Sequence, residues 1–303
     1  MSLEADYVVD RRRLKRRLSF WRIFTIVILA AVLITTITNT NMYSGSDYIA
    51  RLSVKGLIVD DIERELVLKN LKKDEEVLAL ILRIDSPGGT VVGGENLYHQ
   101  LKDLSQEKPV VAVMGSTATS AGYMIALGAD HLIAREGSLT GSIGVLLQTA
   151  DITSLLEKIG VKPEIIKSGH LKAQPNPLEK TTRAARGAIE SVVMDIYEMF
   201  VEIVAERREM SPETVRALAD GRVYSGRQAL ANGLIDAIGS ENEALVWLRE
   251  TAKIPQGISV KDVIIKRPGQ GWRTIIDSIF GKATFSDRLS LDGLFSLWHS
   301  KVW

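Results

Sequence analysis

The sequence predicts an α/β fold, a mainly parallel sheet with crossover helices, preceded by one N-terminal transmembrane helix. Three observations predict it. LALILRID (Leu78 to Asp85) and PVVAVMG (Pro109 to Gly115) are continuous apolar runs, the form of strands buried on both faces. Helical patterns separate such strands at short spacing, which requires right-handed crossovers on a parallel sheet. Ahead of them, the basic run RRRLKRR at 11–17 precedes the uncharged, apolar stretch IFTIVILAAVLITTI from Ile23 to Ile37.

The elements follow in order. The fifteen residues Ile23 to Ile37 are short for a span, but flanking residues from Leu18 and out to Asn41 bring the stretch to the roughly 20 a bilayer crossing needs. Arg22 can snorkel to the headgroups. A core helix rarely follows such a cationic cluster and no A-x-A cleavage signature follows Ile37, so residues 21–41 are expected to be an uncleaved signal anchor. Residues 1–20 then stay cytoplasmic. In a bacterium the rest would be periplasmic or extracytoplasmic, on a single pass through the cytoplasmic membrane.

Tyr48 to Asp61 reads as a first strand and Leu78 to Asp85 as a second, stopped by the turn Ser86-Pro87-Gly88-Gly89. A helix over about Gly93 to Asp103 leads to the strand Pro109 to Gly115. The Ser120 segment is then helical, and His131 to Glu136 is a further strand. Apolar Ile189, Val193, Ile196, Phe200, Ile203 and Val204 mark a long amphipathic helix from Ala188 to Met210. Ser211-Pro212-Glu213 caps the next helix. One domain is thus expected over 48–250. The extension 251–303 carries helical stripes (Trp272, Ile275, Ile276, Ile279, Phe280; Leu291, Leu294, Phe295, Trp298) that suit core packing or an interface or membrane contact equally.

Composition excludes several functions. Thirty-eight Lys+Arg against 37 Asp+Glu leave a net charge of +1, without the basic surplus of a nucleic-acid binder. With no cysteine there is no disulfide, thiolate metal site or cysteine nucleophile. The four histidines, His99, His131, His170 and His299, match no metal-ligand spacing, so neither metal nor cofactor is assigned.

ATSAGYMIALG, Ala118 to Gly128, sets a serine among small residues where a strand becomes a helix. A hydrolytic serine needs an accessible hydroxyl, a base and donors for the oxyanion. The helix start offers free N–H groups and a favourable dipole, and the glycines of Asp85-Ser86-Pro87-Gly88-Gly89 let a substrate approach the backbone. Each motif alone reads as a cap or a turn. Together, at the carboxyl ends of neighbouring strands, they read as an oxyanion cradle.

The base is harder to find. His131 and His99 have no evident carboxylate to orient them, so a Ser-His-Asp triad cannot be built. A lysine can serve only if burial brings its pKa from about 10.4 toward neutrality, roughly 3 units or about 4 kcal/mol. Lys172 stands between a strand-like Pro163 to Ile166 and the proline-bearing loop Gln174 to Pro177. On physical grounds it is one candidate among several, because most lysines are solvated.

R-I-D-S-P-G-G (Arg83 to Gly89), A-T-S-A-G-Y (Ala118 to Tyr123), T-G-S-I-G-V (Thr140 to Val145), S-G-H-L-K (Ser168 to Lys172) and G-R-V-Y-S-G-R-Q-A-L-A-N-G-L-I-D (Gly221 to Asp236) occur in that order. Over roughly residues 50 to 250 the chain resembles signal peptide peptidase A, the membrane-anchored Ser/Lys protease family of bacteria. The resemblance implies a crotonase/Clp-protease-like fold, with Ser120 as nucleophile and Lys172, 52 residues on, as general base. It further implies Ser142 as the serine orienting the lysine amine, and the Gly88 and Ser120 amides as oxyanion donors. Ala121 and Ala173 depart from the glycine and aspartate common after the two catalytic residues, which bears on substrate preference. No second serine motif is present, so the short, single-unit form is implied: a ring-shaped homo-oligomer with sites shared between subunits, hydrolysing remnant signal peptides at the membrane. Rival readings are a related peptidase cleaving stomatin-like or other membrane proteins, a crotonase-like acyl-CoA enzyme, and a non-catalytic membrane scaffold.

Overall fold

The computed structural model describes residues 20–30, 47–265 and the backbone of 295–297. The chain divides into two compact units, Met1–Ser46 and Asp47–Trp303. In the first, residues 20–30 form helix α1, with every described side chain exposed and the Trp21 and Phe24 rings edge to face at 5.7 Å. Among the described residues no helix is long and apolar enough to cross a membrane. The anchor expected over 21–41 lies partly outside them, and the basic run 11–17 and the stripe from Trp272 to Phe280 lie wholly outside.

The second unit begins with β1 (Tyr48–Lys55), α2 (Ile62–Lys73), β2 (Val77–Ser86), β3 (Gly88–Thr90), α3 (Val91–Ser105), β4 (Val110–Thr119) and α4 (Ala121–Ala126). There follow β5 (His131–Ala134), β6 (Leu139–Gly141), α5 (Thr153–Lys158), α6 (Arg183–Arg208), α7 (Pro212–Leu218), β7 (Val223–Ser225) and α8 (Gly226–Ala231). The unit ends with β8 (Ala237–Ile238), α9 (Glu241–Glu250), β9 (Ser259–Asp262) and β10 (Phe295–Leu297).

The large sheet has the order β7-β6-β4-β2-β1-β9, with β5 against β4 and β8 against β5. Only β6–β7 is antiparallel within it. Its apolar runs alternate between two cores, as a period-2 strand covered on both faces must. Leu80, Leu82, Ile84, Ala112 and Met114 pack with α3, α4 and the C-terminal part of α6. Ile81, Val111, Val113 and Ile133 face Ala244 and Leu248 of α9. The extension expected from 251 is in part sheet: β9 pairs with β1, and Arg51 ties the two through Asp262 at 2.6 Å and α9 through Glu241 at 2.7 Å.

Several expected boundaries move. β1 stops at Lys55, and Asp61, expected inside the strand, caps α2 by accepting from the Arg64 amide at 3.1 Å. The turn at Gly88-Gly89 is the start of a strand. Residues 163–166 form no strand. β4 runs four residues beyond Gly115, straight into Ser120. Its first half pairs with β5 (Val111 beside His131) and its last three residues with β6 (Thr119 beside Gly141), so the partner changes between Met114 and Thr117, shortly before Ser120.

Candidate active site

Ser120 closes β4 and caps α4 with φ 58° and ψ −122°. A non-glycine residue in that region is strained by of order 1–3 kcal/mol and persists only where its surroundings over-determine it. Here they do. All six residues of α4 are buried, Ser120 is 1 % exposed, and its N–H donates to the Gly141 carbonyl at 2.8 Å. The sharp strand-to-helix turn projects the hydroxyl at the carboxyl end of the strand, the geometry of a serine nucleophile elbow. Beneath it, the Tyr123 hydroxyl donates to Leu234 O at 2.8 Å, and burial pushes that phenol far above its ordinary pKa, so it stays neutral.

Next to it lies β3. Gly88 has φ +114°, which strains any other residue, and a Cβ on Gly89 would sit 1.8 Å from Ile58 O, so that position admits no side chain. Ile58 occupies one edge of β3: its N–H donates to Gly88 O at 2.9 Å and its carbonyl accepts from Thr90 N at 2.8 Å. The opposite edge carries β10, antiparallel, with Phe295 beside Thr90 and Leu297 beside Gly88. This edge therefore takes an extended backbone by strand addition.

The two expected oxyanion donors are both engaged. The Ser120 amide is committed to Gly141, as above. The Gly88 amide donates to Ser86 Oγ at 3.1 Å, and that hydroxyl lies 3.2 Å from Gly88 O, a local contact within one turn. β4 continues in register with β6 as far as Thr119, and the Ser120 amide extends that pairing to Gly141 O, so the first helical amide is that of Ala121. The first-turn amides of Ala121 and Gly122 have no acceptor within the helix. The continuous run from Pro109 to Thr119 was the signal that the strand reaches the serine.

Ser142 follows β6 with φ 50° and is buried, its N–H donating to Arg222 O at 2.9 Å. With Val145, Leu146, Val193, Met194 and Tyr197 it lines a cavity of about 460 Å³.

Lys172 lies in a very different setting. From residue 144 to 184 no residue is buried, and Lys172 itself is exposed, without a side-chain hydrogen bond or ion pair among the described residues. Its backbone N–H donates to Gly169 O at 3.0 Å. No hydrogen bond joins Ser120 to Lys172. Lys167, five residues earlier, has a side chain only 11 % exposed and ion-paired to Glu179.

The histidines separate cleanly. His131 does have a carboxylate, Asp236, at 3.6 Å, and stacks on Trp247 with ring centroids 5.0 Å apart. Its register beside Val111 puts it nine residues down β4 from Ser120, about 30 Å at a strand's rise. His99 is exposed on α3. Neither reaches the serine. Among the described residues no cluster of His, Asp or Glu could hold a metal ion.

Comparison with known proteins places this geometry. Residues 102–255 match the model of peptidase family S49. A Synechocystis sp. protein provisionally named a protease is 42% identical over 201 residues, covering 66% of this chain and 72% of its own. An Enterococcus faecium protein provisionally named signal peptide peptidase is 36% identical over 220 residues, 68% of this chain and 64% of that one. The chloroplastic serine protease SPPA of Arabidopsis thaliana is 32% identical over 231 residues, 75% of this chain but 34% of the relative's length. Among solved structures, the 1510-N membrane-bound stomatin-specific protease superposes with a TM-score of 0.48 at 15% identity, over 73% of this chain and 99% of that one.

Proposed function

The chain belongs to peptidase family S49, a family of serine-type proteases, and from that premise we propose that it is a Ser/Lys endopeptidase with Ser120 as nucleophile and Lys172 as general base. Membership in a protease family removes the acyl-CoA and scaffold readings. One observation carries the assignment of Ser120: a buried, strained serine at the end of β4, beside a strand edge that pairs with extended backbone.

A peptide that takes the place of β10 along β3 brings its carbonyl to the Ser120 hydroxyl. Oγ attacks the carbonyl carbon as the neutral Lys172 amine removes the hydroxyl proton. The negative oxygen of the tetrahedral intermediate is met by the Ala121 amide, and by the Gly88 amide once it turns from Ser86. Lys172, now an ammonium, gives its proton to the departing amine. The acyl group stays on Ser120 until water, deprotonated by Lys172, releases it and restores the serine. Ser142 holds the lysine amine.

Within one chain the base is solvated, and a lysine serves as a base at neutral pH only when water is excluded from it. The stretch 144–182 offers the means. Leu155, Ile159, Ile165 and Ile166 are 58%, 64%, 41% and 93% exposed, more apolar surface than a free arm tolerates. A second copy covering it would shelter Lys172 and bring it to a serine. The working form is then a closed homo-oligomer with sites shared between subunits, on a Clp-protease-like fold anchored through residues 21–41 with the catalytic domain outside the cytoplasm. Apolar remnant signal peptides fit a glycine-lined edge that reads backbone. The direct test is a serine-acylating activity probe with mapping of the modified residue. Modification of Ser120 in the wild type but not in Ser120→Ala supports the reading, and modification elsewhere with Ser120 untouched rejects it.

A further inference from the structure

The loop that carries Lys172 has no buried residue to hold it, yet its backbone is specific: Ala173, directly after the lysine, has φ 56°. A single carboxylate oxygen closes this loop. Oε1 of Glu179 accepts from Lys167 Nζ at the loop's start, from Gln174 Nε2 at 2.5 Å, and from Asn176 Nδ2. Asn176 passes the constraint inward, its Nδ2 also donating to Ala173 O at 3.0 Å and its Oδ1 accepting from Leu178 N at 2.9 Å. Gln174 turns its donor to Glu179 while its own Oε1 stays buried without a partner, so the carboxylate alone accounts for that side chain's orientation.

We infer that Glu179 is a positioning residue: by tying Lys167, Gln174 and Asn176 to one oxygen it fixes the turn that presents Lys172. This rests on Lys172 being the base. Charge-assisted hydrogen bonds are the strong ones, and three converging on one oxygen replace the apolar anchoring the loop lacks. The same carboxylate holds the Lys167 amine in an ion pair, whereas Lys172 makes none among the described residues. A base displaced by about 1 Å can cost up to roughly 100-fold in rate.

The test uses the full chain and a short peptide substrate, with kcat and KM measured separately beside the melting temperature and the sedimentation profile. Glu179→Ala is expected to lower kcat by about 10- to 100-fold while KM stays within about two-fold, since Lys172 acts on the chemical step and not on peptide binding. Melting should be unchanged, because the loop lies off both cores, and assembly should hold, because the exposed apolar residues Leu155, Ile159, Ile165 and Ile166 are kept. Glu179→Gln keeps an oxygen for the donors but not its charge, and should recover part of kcat. An unchanged kcat in Glu179→Ala overturns the proposal, as does a loss that appears in KM, in melting or in assembly, or one that Glu179→Gln does not relieve. Lys172→Ala separates the two questions. If it is inactive while Glu179→Ala is at wild-type rate, only the clamp is wrong; if it retains full activity, Lys172 is not the base.

Discussion

Ser120 and Lys172 sit in regions built on opposite principles. The serine ends a central strand, among neighbours that are nearly all buried, and its strained backbone is held by the core on one side and by β6 on the other. The lysine rides an excursion of about forty residues with no core and is held by polar contacts alone. A nucleophile must meet a carbonyl along a fixed trajectory, and a packed interior, dense and hard to deform, enforces that best. A base must be sheltered from water, which an exposed arm can achieve only when something covers it. The difference between the regions therefore argues for assembly as part of the catalytic apparatus.

The comparison breaks most sharply by mixing. Ser120→Ala and Lys172→Ala should each lower peptide hydrolysis by on the order of 10⁴-fold or more, because members of one catalytic unit fail together. If sites are shared, subunit exchange between the two dead proteins pairs an intact serine with an intact lysine at some interfaces and restores part of the activity. Exchange proven by cross-linking with activity still at background would place both residues within one chain.

A second pair of substitutions contrasts the regions by stability. Leu82 is fully buried in the core, and Leu82→Ala should cost about 3 kcal/mol, lowering the melting temperature by roughly 5–10 °C in a domain of this size. Ile166 is 93% exposed, and Ile166→Ser should change the stability of the dilute monomer by no more than about 0.5 kcal/mol. It should nonetheless reduce assembly in sedimentation velocity, and activity with it. Unchanged assembly and hydrolysis in Ile166→Ser would show that the arm is not a contact surface.

The same contrast explains what was legible in the sequence. Leu78 to Asp85 and Pro109 to Gly115 announced central strands because a strand buried on both faces must be apolar throughout. The long helix was legible from its stripe, of which Phe200, Ile203 and Val204 are buried while Ile189 and Val193 are not. α2 escaped notice because Ile62 and Leu66 are exposed, though Asp61 ahead of Glu63 and Glu65 is a capping signal that could have found it. β3, β6 and β8 hold two or three residues each and exist only through their partners. For the site, motif order singled out Ser120 and Lys172, but only the fold shows that the Ser120 amide belongs to the sheet. Glu179 carried no signal, because its role is set by three donors that the loop folds toward it.

The smallest expected effect concerns the residue that competes with Lys172 for the role of base. Burial holds the His131 imidazole below its ordinary pKa; the attraction of Asp236 opposes the shift and Arg208 adds to it. Trp247 covers one face of the ring. A histidine with a depressed pKa is favoured neutral in the fold, so its contribution is present above the unfolded value of about 6.5 and is lost as pH falls through that value toward the lower folded one. The melting temperature should therefore drop modestly between neutral pH and about pH 5. His131→Phe keeps a ring against Trp247 without a titrating group and should flatten that slope. Because the ring sits about 30 Å from Ser120 along β4, the same variant should hydrolyse peptide at close to the wild-type rate. A flattened stability profile with intact hydrolysis assigns His131 to the scaffold. A His131→Phe protein that melts normally but cannot hydrolyse peptide would return histidine to the mechanism and remove the reason for Lys172 to be sheltered at all.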